Sequence, residues 1–144
     1  MNNIEQMPFR EKSAWISLVC LPATFGAFFL AMATGLVPTS GILAVKVFFG
    51  CTAGFVLLQL GLYAAAAMRA PADARAARDE RERLIALKAA RNAWAVLVCG
   101  MLITAGSLHL GLQQSQMGYL AMAFLVLSEM VRAASCIFYF RRGH

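Results

Sequence analysis

Between Arg69 and Arg91 the chain gathers more than half of its charged residues, and the stretches on either side are almost continuously apolar. Apolar runs of that length do not show one polar face and one hidden face, so they suit lipid rather than the core of a soluble domain. Composition agrees: 60% of the 144 residues are hydrophobic and 14% are charged, where a soluble domain carries about 25% charged residues.

Four segments reach the roughly 20 apolar residues that a membrane-crossing helix needs. They cover about 14–36, 41–68, 93–112 and 119–140, with a charged segment at 69–92. The expected fold class is an all-α membrane protein, its four transmembrane helices arranged as two hairpins and the whole of 1–144 forming a single transmembrane domain. The first apolar run is too long for a signal-peptide core, and no A-x-A site follows it, so it is read as the first span. Trp15 suits the interface at its start, and Pro22 is expected to kink it.

Orientation follows from the short connections. Arg10 and Lys12 precede the first span, the central segment has seven basic residues, and Arg141 and Arg142 follow the last span. The connections around Pro38 and around Gln113–Gln116 have none. This asymmetry places both termini and the central segment in the cytoplasm. It also accounts for the net charge of +6 through topology and anionic headgroups, without nucleic acid as a partner.

The central segment reads as a helix begun near Asp73 after Pro71 and continuous with the third span, because no Gly or Pro lies between Ala74 and Trp94. Asp79 with Arg83, Arg75 with Asp79, and Arg78 with Glu82 stand at i,i+4, each pair worth about 0.2–0.5 kcal/mol. Arg78, Asp79, Glu80, Arg81 and Arg83 are the candidate surface for a cytoplasmic partner.

An internal repeat is visible. Lys12-Ser-Ala-Trp-Ile-Ser-Leu-Val-Cys20 aligns without gaps on Arg91-Asn-Ala-Trp-Ala-Val-Leu-Val-Cys99, matching the chain's two Trp and two of its four Cys. Gln59 and Tyr63 against Ser135 and Tyr139 are a fainter echo. Spans one and three run in the same direction, so the halves would be parallel repeats about an axis along the membrane normal.

Charged side chains inside spans are costly and mark sites by default. Glu129 and Arg132 lie near the middle of the fourth span, and Ser128, Ser135, Cys136 and Tyr139 extend their face as a polar stripe expected to point into the bundle. Two readings stand: a neutralised pair that fixes packing, or a carboxylate that carries protons or ligand. Lys46 and His109 lie near the outer ends of their spans and are expected to reach water by snorkelling. Cys20, Cys51, Cys99 and Cys136 show neither CxxC nor metal-ligand spacing, so no metal or other cofactor is expected. Gly50-Cys-Thr-Ala-Gly54, continued by Gly61, is a GxxxG surface for close helix packing, within the bundle or between copies.

Asp79-Glu-Arg-Glu-Arg-Leu-Ile85, Lys88-Ala-Ala-Arg91, Ser128-Glu-Met-Val-Arg132 and Tyr139-Phe-Arg-Arg-Gly143 together resemble a group of small bacterial four-helix membrane proteins of unknown function that carry a DERxRxI-type cytoplasmic motif. The resemblance implies a multi-pass protein of the bacterial inner membrane and brings no activity with it. The leading expectation is a non-enzymatic accessory, regulatory or assembly protein that sits in the lipid bilayer and binds a protein partner. The alternative is a small proton-coupled transporter or channel acting as a homo-oligomer, with Glu129 and Arg132 on the path. No nucleophile and base, HExxH or close carboxylate pair can be assembled for an enzyme.

Overall fold

A computed structural model of the chain describes residues 9–69 and 79–142. Four helices carry the fold: α1 (Phe9–Ala33), α2 (Ile42–Arg69), α3 (Glu80–Gly106) and α4 (Gln114–Arg142), with a 3₁₀ turn, Ser107–Leu110, extending α3. Each is long and apolar enough to cross a bilayer, and the described residues contain no strand. The chain thus has the make-up of a multi-pass membrane protein.

Local chemistry sets the ends. Gly35, Gly41 and Gly111 take the left-handed backbone at φ 76°, 91° and 74°, which glycine adopts without the Cβ penalty. Gly35 closes α1 with its N–H on the Met32 carbonyl, and Gly111 closes the 3₁₀ turn. Pro22 lies inside α1, which continues through it. That helix begins earlier than the apolar run, because Arg10 and Glu11 are held in its first turn by partners on other helices.

The start of α3 corrects one expectation. Asp79 has an extended backbone (φ −66°, ψ 153°) and accepts the Glu80 N–H at 2.7 Å, so it caps α3 rather than sitting within a helix begun near Asp73. A short carboxylate that satisfies a free N–H at a helix start outweighs the weak i,i+4 attraction to Arg83. The expected start near Asp73, like Arg75 and Arg78, lies outside the described residues. From Glu80 onward the helix runs unbroken into the third apolar span, as expected.

Helix packing is uneven. α4 lies most extensively on α3, and its other side meets α1, which in turn packs along α2. Phe28 of α1 joins three helices, with its ring 5.7 Å from Phe48 of α2 and 6.2 Å from Tyr119 of α4. Phe25 adds Phe55 at 5.5 Å. α3 and α4 approach closely at Gly100, where Phe124 occupies the space a side chain would need.

α2 is the outlier. Ala44 is its one buried residue, and a Cβ added at Gly50, Gly54 or Gly61 would meet nothing within 4 Å. The GxxxG surface therefore does not pack within the bundle. Small residues permit close approach but supply no partner, and α1 meets the opposite, aromatic face of α2 instead.

Candidate functional site

The polar groups of the bundle concentrate at the end where α1 and α3 begin and α4 finishes. Two ion pairs join helices there: Arg10 to Glu82 at 2.7 Å, and Arg141 to Glu11 at 3.3 Å. Glu82 thus faces α1, whereas i,i+4 spacing pointed it at Arg78. The Glu11 side chain is only 8% exposed, and its partner's guanidinium also covers the Trp15 ring, 5.4 Å from the centroid. These contacts tie α1 to both α3 and α4.

Beneath this collar opens a cleft of about 130 Å³, lined by Arg10, Glu82, Ser17, Tyr63, Arg132 and Cys136 among others. All four helices contribute to its wall. From Arg10 to Ser17 is seven residues of α1, so the cleft reaches about 10 Å down the bundle at 1.5 Å per helical residue.

Two hydrogen-bonded clusters flank it. In the first, the Gln59 amide of α2 donates to Ser17 Oγ at 2.7 Å and to Tyr63 Oη at 2.5 Å. Ser17 and Tyr63 share a 2.6 Å hydroxyl contact, and Tyr63 Oη donates to the Ser13 carbonyl at 3.4 Å. In the second, Asn92 Nδ2 of α3 donates to Ser135 Oγ and Tyr139 Oη of α4, both at 3.2 Å. Ser13 and Asn92 are aligned positions of the repeat, and so are Tyr63 and Tyr139; in each hairpin the tyrosine of one helix reaches the aligned position of the other. Of the sites read from sequence, Ser135 and Tyr139 therefore belong to the seam between α3 and α4.

Glu129 and Arg132 do pair, Arg132 Nη2 lying 2.7 Å from Glu129 Oε2. They are not sealed inside the bundle: their side chains are 42% and 46% exposed. The stripe on α4 divides because it is wider than one helix contact. Ser128 bonds back to the Leu125 carbonyl, Ser135 and Tyr139 turn to α3, and Arg132 and Cys136 line the cleft. Glu129 lies thirteen residues from the end of α4 at Arg142, about 20 Å along the helix. At that depth a half-open ion pair needs water or protein beside it rather than lipid.

Asp79, Glu80, Arg81 and Arg83 are all exposed, while Arg78 lies outside the described residues. Lys46 and His109 are exposed near helix ends, and all four cysteines are free.

Sequence reasoning missed Ser17 and Asn92, and took Gln59 and Tyr63 for a repeat echo alone. The signal was present: an amide and a phenol at i,i+4 in an otherwise apolar span need partners. Tyr63→Phe should cost about 1–3 kcal/mol, since it leaves Gln59 and Ser17 short of a partner in a low-dielectric site. Tyr139→Phe should cost less, because it removes one hydrogen bond, that from Asn92, where Tyr63→Phe removes three. Melting temperatures in detergent, in which Tyr139→Phe proves the more damaging, would reverse this ranking.

No protein-family model matches the chain, and no curated protein or solved structure matches it.

Proposed function

We propose that this chain is a non-enzymatic accessory or assembly protein of a bacterial inner membrane, recruiting a protein partner through the charged start of α3 on the cytoplasmic side. The observation that carries the reading is the division of charge. Arg10, Glu11, Glu82 and Arg141 are engaged in holding helices together, and Glu129 and Arg132 neutralise each other within α4, whereas Asp79, Glu80, Arg81 and Arg83 form an exposed turn with no part in the packing. Charge of both signs on a capped helix end suits recognition of a complementary surface. The two hairpins are parallel repeats in this reading, and the matching tyrosine stations support it.

The test is a pulldown in mild detergent from cells expressing Arg81→Glu with Arg83→Glu. The expected result is loss of a defined partner with the membrane level of the protein unchanged. Retention of every partner by the reversed variant would remove the recruiting role from this turn.

A second reading, a small transporter or channel, is favoured by the polar cleft and the half-open Glu129–Arg132 pair. It expects Glu129→Gln to abolish transport while leaving stability nearly intact.

Orientation has its own test. Cysteines placed at Ser40 or Ser115 should react with an impermeant thiol reagent from outside the cytoplasmic membrane, and one at Ala76 should not. Labelling of Ala76→Cys in intact cells would invert the topology.

A further inference from the structure

The repeat-related residues are not equally covered. Trp15 is 37% exposed and lies under the Arg141 guanidinium, while Trp94, its counterpart on α3, is 66% exposed. Cys20 is 5% exposed, and its counterpart Cys99 is classed as exposed. The first hairpin has a neighbour on this face, namely α4. The second hairpin has the same face and lacks the neighbour.

The repeat also says what that neighbour would be. If α1 corresponds to α3, and α2 to α4, then the counterpart of the α1–α4 interface is an α3–α2 interface. Within one chain it does not form, because α2 packs on the far side of α1 and has no packed interface with α3. The face of α2 that corresponds to the α1-facing side of α4 is nevertheless open. We infer that α2 of a second copy packs on the Trp94 face of α3, repeating between chains the α1–α4 contact seen within one.

The register is fixed by the observed contacts. Glu11 and Trp15 both meet Arg141; shifting each by the repeat offset sets Ala90 and Trp94 against Ala65, and with Ala90 level with Ala65 the antiparallel helices place Trp94 level with Gly61 and Met101 level with Gly54. Small residues on α2 leave room for the indole, which close helix packing requires. The contact joins unlike faces: it is heterologous when α3 and α2 of one copy meet two different neighbours, and isologous when both meet the same one. It rests on the parallel repeat proposed above.

The test uses the full chain with its native cysteines replaced by serine or alanine. One tagged copy carries Met101→Cys and a second, differently tagged copy carries Gly54→Cys, co-expressed and oxidised in native membranes. The expected product is a disulfide-linked species bearing both tags, and Trp94→Ala in the first copy should reduce its yield by more than half. Linkage of Gly54→Cys to itself, without the mixed product, would replace this interface by a symmetric α2–α2 contact. Absence of any linked species, with both variants folded by melting curve, would leave α2 facing lipid and overturn the proposal.

The repeat is checked separately by quenching single-Trp variants with lipids brominated at known depths. Equal depths for Trp15 and Trp94 without the mixed disulfide sink the interface alone. Unequal depths sink the repeat beneath it.

Discussion

Gly100→Leu is expected to be the most damaging single substitution between α3 and α4. A Cβ placed at Gly100 would lie 2.3 Å from Phe124 Cγ and 2.4 Å from Phe124 Cβ, far inside van der Waals contact. Turning the phenyl ring away cannot relieve the second clash, since the Phe124 Cβ is fixed to its backbone. The two helices must part along their seam, and both Asn92 bonds and the burial of Ala93 and Thr104 lie on that seam. Overpacking costs about 1–3 kcal/mol where neighbours can yield and more where they cannot, so a loss of at least about 3 kcal/mol is expected for leucine. Gly100→Ala should already be destabilising, and Phe124→Ala should not rescue it, because the offending Cβ remains. Thermal unfolding in detergent checks both; a Gly100→Ala protein as stable as the parent would mean that α3 and α4 stand further apart at this point.

Removing Arg141 is expected to have the next largest effect. Arg141→Met leaves the Glu11 carboxylate, whose side chain is 8% exposed, without its ion-pair partner and also uncovers Trp15. Stranding one member of a buried pair costs about 3–5 kcal/mol; the low end applies because Arg141 itself is 59% exposed. The double change Glu11→Gln with Arg141→Met should recover much of the loss, since no charge is then stranded. Glu129→Gln should be milder than Arg141→Met, about 1 kcal/mol or less, because that pair is half open and exposed pairs contribute little. Unfolding curves for the four proteins decide the matter. If the double variant is no better than Arg141→Met, the arginine acts through its cover on Trp15 and not through Glu11.

Much of the helical plan is legible in the sequence, and for a simple reason. Lipid admits few spanning structures, so apolar length alone fixes how many helices there are and nearly where they stop. The cap at Asp79 was legible too, for Asp79 and Glu82 stand at capping-box spacing; reading the charges as a run of i,i+4 pairs hid it. What sequence could not supply was the choice of neighbours. The residues that bind α1 to α3 and α4, Arg10, Glu11, Glu82 and Arg141, look in the sequence like ordinary topology signals at span ends. Only the lateral order of the helices turns them into cross-braces. The same holds for Glu129 and Arg132: their i,i+3 spacing predicts the pair, but which flank of α4 is covered depends on where α1 and α2 come to rest.

The position of α1 sets an order on assembly. Glu11 finds its partner 130 residues later in the chain, and Phe28 waits for Tyr119. At about 5–20 residues per second of synthesis, the first hairpin, complete at Arg69, waits roughly 4–14 s before Arg141 is made. Throughout that interval its polar first turn and half of its aromatic face have no lasting cover. The last helix to be made is therefore the one that locks the first, and a chain stopped before α4 keeps Glu11 without its arginine.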